Sequence, residues 1–288
     1  MSRATASVES YLSTQAEVIA NRADDVLVDA PDAVHRSRVA TRRARSALRT
    51  FGPLFKNRRT RALRDELAWH ADRLGAPRDA EVLKQRLLAT LDELSPDQVV
   101  GPVRQRLADE LDLAHAAAHA QLVVSMQTTR YQDLRATLHD FVADPPLSKA
   151  GASERKRQLA DLLTRAIDRA RRLYVRAEEV PDDLHMWHEV RKAAKAARYC
   201  SEALVDAFGE AAELRAEAWE QVTEALGEVQ DTVVAEQTLI RHAATALGAH
   251  EPVETYLALE GVELRQREQS LATGRRVLAE ALLLPPLR

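Results

Sequence analysis

Two rows of cations define the chemistry open to this chain. His35, Arg38, Arg42, Arg45 and Arg49 follow one another at steps of three and four residues, the spacing at which helical neighbours share a face. At about 100° per residue they fall within an arc of about 80°, and at about 1.5 Å per residue the row is about 21 Å long. His188, Arg191, Lys195 and Arg198 repeat the first four positions at a constant offset of 153 residues. Lys192 lies about 40° to the side of that second row, and Glu202 stands where the counterpart of Arg49 would be.

Cations at this spacing repel, each neighbouring pair costing a few tenths of a kcal/mol in an isolated helix. The usual remedy is an acid one turn away, and the first row has none. From Val34 to Arg64 there are eleven Lys or Arg residues and no Asp or Glu, whereas Ser201 to Asp231 holds nine acids and one base, Arg215. The net charge of -3 conceals this segregation. A strongly positive region inside a mildly acidic protein calls for an anion. Two such rows facing each other would suit one that is linear and highly charged.

Helices must position these rows. Only 20 of 288 residues are Gly or Pro, 45% are hydrophobic, and isoleucine occurs at Ile19, Ile167 and Ile240 alone. That composition, rich in Ala, Leu, Arg and Glu, is helix-forming and argues against sheet. Opposite the first row, Val34, Ala40, Ala44, Ala47, Leu48 and Phe51 form an apolar face. Opposite the second stand Trp187, Val190, Ala193, Ala194, Ala197, Cys200, Leu204, Val205 and Phe208. Both helices are amphipathic in the same phase.

Punctuation divides the rest. Asp29 and Pro31 open a helix and Gly52-Pro53 closes it. The next is expected from Lys56 to Leu74, ended by Gly75 with Pro77 beyond. Ser95-Pro96-Asp97 starts another element, and residues 143–153 (ADPPLSKAGAS) read as a linker. Beyond it the order returns: a long segment from Glu154 to Glu179, a helix after Pro181 to Phe208, and one from Gly209 to Leu226, followed by Gly227. Leu74, Gly75 and Asp79 recur as Leu226, Gly227 and Asp231 at an offset of 152. Gly75 and Gly227 are expected to close helices in the left-handed conformation, and Asp79 and Asp231 to favour the next helix N-terminus.

The fold class expected is therefore all-α: two pseudo-symmetric antiparallel helical bundles produced by internal duplication, residues 1–148 and 149–288, around a central basic groove or pore. His115 and His119 sit one turn apart, as metal ligands can, but no third ligand is evident; no metal or other cofactor is expected. Trp69, Trp187 and Trp219 are assigned to the core. Arg155, Lys156, Arg157 and the row Arg165, Arg169, Arg172, Arg176 are assigned to a solvated face, with Asp161 and Asp168 among them. A single cysteine, Cys200, allows no internal disulfide. The first residues, with Arg3 and Glu9, lack the apolar core of a secretory signal, and no run approaches a membrane span. The expected location is the cytoplasm.

The segments VHRSRVATRRARSALRTFGPLF and LRDELAWHADRLGAPRDAEVL, followed by HEVRKAAKAARYCSEAL and LGEVQD, together resemble the conserved-histidine α-helical domain family, CHAD. The likeness spans both halves. It implies two pseudo-symmetric helical bundles and a central pore whose basic residues bind inorganic polyphosphate. By this resemblance the binding residues are His35, Arg38, Arg42, Arg45, His188, Arg191, Lys195 and Arg198, with Arg49 and Lys192 added by the wheel geometry above. The second block departs from the family at Ala196, where a basic residue is usual, implying weaker binding there. Some relatives carry an additional triphosphate-hydrolysing domain with an E-x-E-x-K pattern; this sequence has none, so the expectation is a binding module without catalysis, with polyphosphate granules as its place of association. Two other classes compete: a single-stranded nucleic-acid binder, which usually adds aromatic stacking platforms, and a Mg²⁺-dependent polyphosphate-processing enzyme, which needs carboxylates beside the phosphates.

Overall fold

Twelve α-helices carry the described residues, 5–152 and 156–288, of this computed structural model. Arg3, Ser153, Glu154 and Arg155 lie outside the described residues. In chain order the helices are α1 Thr5–Asn21, α2 Ala23–Leu27, α3 Ala33–Thr50, α4 Asn57–Asp92, α5 Val103–Met126 and α6 Thr129–Ala143, then α7 Lys149–Ala152, α8 Lys156–Glu179, α9 Leu184–Glu202, α10 Val205–Phe208, α11 Glu210–Gly248 and α12 Glu254–Leu282. Among the described residues there is no strand, only a single antiparallel bridge between Phe55 and Leu147. No helix among them is long and apolar enough to cross a membrane.

The two cation-bearing helices form where the wheel places them. α3 buries Val34, Ala40, Ala44, Ala47 and Leu48, and α9 buries Trp187, Val190, Ala193, Ala194, Ala197 and Cys200. Asp183 caps α9 by accepting from the backbone N–H groups of His185 and Met186. Gly209, at φ 57° and ψ -141°, makes the turn into α11 in a region that side-chain-bearing residues avoid.

Packing follows one order twice. α1 lies on α3, α3 on α4 and α4 on α5; α8 lies on α9, α9 on α11 and α11 on α12. α3 and α9 also touch each other. One apolar cluster runs through both chain halves, from Val8, Leu48 and Leu67 to Leu159, Leu204 and Ala212. A second joins Trp187 and Trp219 to Val277 and Leu278. A third, where the hairpin α4–α5 meets α11–α12, joins Leu87, Leu107 and Leu111 to Leu239, Tyr256 and Leu259. Trp69 is only partly buried, with the Arg130 guanidinium 4.4 Å over its ring.

Three expectations need correction. α4 does not end at Gly75 but runs through it and through Pro77 to Asp92, and α11 runs through Gly227 to Gly248. A glycine and a proline inside a helix cost about 1 and about 3 kcal/mol, but α4 buries Leu63, Leu67, Leu74, Leu87 and Leu91, each worth about 1.5–3 kcal/mol. Packing outweighs propensity. Asp79 and Asp231 consequently sit in mid-helix and not at a helix start. Lastly, the stretch read as a linker is docked: the N–H groups of Lys56 and Ser148 donate to Pro146 and Leu54 carbonyls, and Gly151 presses so closely on Leu54 that a Cβ there would lie 2.1 Å from its carbonyl oxygen.

Candidate anion-binding site

α3 and α9 turn their cationic faces into one cavity of about 540 Å³, with α4 and α11 as its other walls. His35, Arg38 and Arg42 enter from α3 and His188, Arg191 and Lys195 from α9. Arg78 and Arg86 enter from α4, and Gln230 and Asp231 from α11. Among the described residues six Lys or Arg side chains thus line the cavity against two carboxylates, Asp79 and Asp231, which gives it a positive interior.

The glycines and aspartates of the repeated L-G-x-x-x-D block serve this cavity. Asp79 accepts from Arg38 at 3.0 Å. Gly227 lies directly beneath Arg191: a Cβ there would sit 3.3 Å from one terminal guanidinium nitrogen and 3.6 Å from Nε. At Gly75 the equivalent approach, to Arg38, is a looser 3.8 Å. These glycines give the arginine planes room against the helix backbone and do not end a helix. Arg78 also belongs to the block, and Gln230 is its counterpart at the 152-residue offset. The spacing of the two cation rows singles out neither, although the motif itself marks both.

Charge compensation is partial. Outside the lining, Glu81 engages Arg78 at 2.8 Å, and Glu228 and Glu263 engage Arg86 at 2.8 Å each. Among the described residues Arg42, Arg191 and Lys195 have no carboxylate within 4 Å, and the Nε of Arg191 and the Nδ1 of His188 are buried without a hydrogen-bond partner. Burial, joined by Arg191, Arg42 and Arg38, pushes the Lys195 ammonium down to about 6. Burial also lowers the Arg38 and Arg191 guanidinium groups, with Arg42 adding to the effect on each. His35 and His188 are held below the ordinary imidazole value first by burial, then by Arg78 and Arg38 on one and Lys192 and Arg191 on the other. Burial raises the Asp231 carboxyl even though Arg191 opposes it. Cations gathered this closely in a low-dielectric recess stabilise a bound anion strongly.

The remaining sequence-predicted residues lie outside this cavity. Arg45 and Arg49 continue along the exposed end of α3. Lys192 is exposed and bonded to Glu189. Arg198 turns away onto Glu202 at 2.9 Å and onto Glu220, with Thr223 at 3.2 Å. Glu202 also takes Arg43 at 3.0 Å and the Tyr11 hydroxyl at 2.7 Å. Arg43 and Arg198 both lie 5.8 Å over the ring of Tyr199, which among the described residues is the one Phe, Tyr or Trp lining the cavity.

His115 and His119 do other work. The Nδ1 of His115 meets the Pro77 carbonyl at 3.0 Å and its Nε2 meets Asp29 at 2.7 Å, while His119 meets the Val26 carbonyl at 2.8 Å. Two acceptors, on opposite ring nitrogens, favour the imidazolium; the His115 pKa is raised by Asp29 and Pro77 against the opposing effect of burial. Among the described residues no cluster of three or more His, Cys, Asp or Glu side chains has metal-binding geometry. Cys200 is buried and its thiol is pushed up by burial.

Comparison with known proteins agrees with this architecture. The CHAD domain family matches residues 10–240. Uncharacterized protein Rv2226 of Mycobacterium tuberculosis strain H37Rv is 33% identical over 262 residues, covering 90% of this chain and 48% of that protein. Uncharacterized protein MT2285 of strain CDC 1551 matches with the same figures. The chain thus spans about half the length of these curated relatives. Among solved structures, the CHAD domain from the plant Ricinus communis superimposes with a TM-score of 0.75 at 25% identity, over 100% of this chain and 95% of that one. PptA from Streptomyces chartreusis gives 0.76 at 24% identity, over 97% and 99%.

Proposed function

We propose that this chain, which belongs to the CHAD domain family, binds inorganic polyphosphate without chemically altering it, in the cavity between α3 and α9. The observation that carries this reading is the meeting of Arg42, Arg191 and Lys195 in one recess with no carboxylate within 4 Å among the described residues. Arg38 adds a guanidinium held in place by Asp79. Guanidinium and ammonium groups donate charge-assisted hydrogen bonds to phosphoryl oxygens, and the unpartnered His188 Nδ1 and Arg191 Nε are two further sites for such contact.

Two features favour polyphosphate over nucleic acid and over catalysis. Tyr199 already has two guanidinium groups over its ring, so the cavity lacks an open stacking surface for a base. Both lining carboxylates face arginines: Asp79 is paired with Arg38, and Asp231 acts on Arg191. Neither is disposed as a free pair beside a phosphate. The reading places the protein in the cytoplasm, and co-localisation with polyphosphate granules is its cellular test.

The direct test is calorimetric titration with long-chain polyphosphate at moderate salt. Wild type is expected to bind, more weakly as salt rises, and Arg38→Ala with Arg191→Ala to lose at least about 100-fold, since each charged hydrogen bond is worth about 1.5–3 kcal/mol. Absence of binding, or an unchanged double variant, refutes the reading. RNA that displaces polyphosphate at equal charge would favour the nucleic-acid alternative, and orthophosphate release with added Mg²⁺ the enzymatic one.

A further inference from the structure

Beyond the cavity the two cationic helices part company. α3 continues for two more turns with Arg45 and Arg49, about 10 Å past Arg42. Among the described residues the charged groups that bear most on Arg49 are cations: Arg169 of α8, Arg45 of α3 itself and Arg64 of α4. α3 packs against both α4 and α8, which brings these three helices together at that point. On α8, Arg165, Arg169, Arg172 and Arg176 are exposed and fall within an arc of about 60° and a length of about 16 Å, forming a third row of the same kind. The i+3 pair on that helix, Asp168 with Arg171, uses a different arginine. At the matching end of α9, by contrast, Glu202 and Glu220 neutralise Arg198, and Glu202 also holds Arg43.

We infer that a polyphosphate chain too long for the cavity leaves it along the first half only, passing over Arg45 and Arg49 and being handed to Arg169 and its row on α8. This rests on the proposed function and adds a direction to it. On the α9 side a chain would find Arg198 already held by Glu202 and Glu220; on the α3 side it would relieve mutual repulsion among Arg45, Arg49 and Arg169, which have no carboxylate within 4 Å among the described residues. The α8 row, a solvated face by sequence alone, then becomes the outer part of the binding track and a determinant of chain-length preference.

Two ligands separate the parts. Tripolyphosphate is short enough for the cavity, whereas long-chain polyphosphate also reaches the track. Arg49→Glu combined with Arg169→Glu is expected to weaken long-chain binding at least about 10-fold, to flatten its salt dependence, and to leave tripolyphosphate within about twofold. Arg169→Glu alone, on an exposed helix face, guards against a folding defect and is expected to give the same pattern at smaller size. Unchanged long-chain binding, or equal weakening of both ligands, overturns the track while leaving the cavity reading intact. If wild type binds neither ligand, both fall together.

Discussion

α3 and α9 carry the same succession of His, Arg, Arg or Lys, and Arg at one spacing, yet their charges meet different fates. On α3 the row stays cationic to its end, since Arg42, Arg45 and Arg49 find no carboxylate within 4 Å among the described residues. On α9 the row is cut at Arg198, which bonds Glu202 one turn on and Glu220 on the neighbouring helix. Spacing therefore fixes which face a side chain occupies, but its charge state toward a ligand is fixed by what the rest of the fold sets against it.

The sharpest way to break this contrast is to compare single truncations of the two fates. Arg191→Ala, which empties a buried position in the cavity, is expected to weaken polyphosphate binding about 10- to 100-fold by the worth of a charged hydrogen bond. Arg198→Ala is expected to leave affinity within about twofold. Equal losses in a titration would mean that Arg198 leaves its carboxylates to join the ligand.

Stability provides the converse. Glu202 accepts from Arg43, Arg198 and Tyr11 and is largely buried. Glu202→Ala leaves those donors without their acceptor, with an expected loss of about 2–3 kcal/mol, discounted for partial exposure of the cluster. Urea denaturation measures it, and a change below about 0.5 kcal/mol would show that the cluster contributes nothing to holding α1, α3 and α9 together.

A third comparison uses pH. In the free protein burial and neighbouring cations hold Lys195 at about 6, far below its unfolded value of 10.5. Between these values the unfolded chain binds a proton that the folded one lacks, so this group makes stability rise with pH and fall as pH drops toward 6. A bound polyanion favours the ammonium, so binding takes up protons; His35 and His188, also lowered, act in the same direction. Affinity is expected to tighten several-fold from pH 8 to pH 6, with proton uptake visible as a dependence of binding heat on the ionisation enthalpy of the buffer. Affinity and heat that ignore pH and buffer would exclude this coupling.

The smallest effect concerns the two buried glycines. Gly75→Ala meets only ordinary contacts and gains helix propensity, up to about 1 kcal/mol of stability with binding unchanged. Gly227→Ala crowds the Arg191 guanidinium at 3.3 Å and is expected to weaken binding about two- to threefold. Identical behaviour of the two variants in melting and titration would deny Gly227 a role in seating Arg191.

Much of this was legible in the residues. The apolar faces of α3 and α9 followed from periodicity because burial on one side of a helix is a local pattern. The cationic faces followed for the same reason. Gly75, Pro77 and Gly227 are poor guides to the helix ends because local punctuation is outweighed by burial of leucines along α4 and of Trp219, Val222, Leu226 and Val229 along α11. Sequence alone puts Asp79 and Asp231 at helix starts because the arginines they act on, Arg38 in an ion pair and Arg191 from beyond 4 Å, lie 41 and 40 positions earlier in the chain and come near only through packing. Arg198 carried half of its story in sequence, as Glu202 stands at i+4, whereas Glu220 becomes its neighbour only when α11 folds back. Arg78 and Gln230 could have been found from their shared place in the repeated block. Arg86 could not, since nothing near it in the chain sets it apart.

The length of α4 and α11 has a mechanical consequence. Each runs unbroken past the recess into the apolar seam of Leu87, Leu107 and Leu239, and where recess and seam meet, the lining residue Arg86 is clamped by Glu228 and by Glu263, itself only 1% exposed. Two beams clamped at the rim hold their gap, so on the proposed function the aperture is set before any guest arrives. On that reading, loss of conformational freedom on association falls chiefly on the guest.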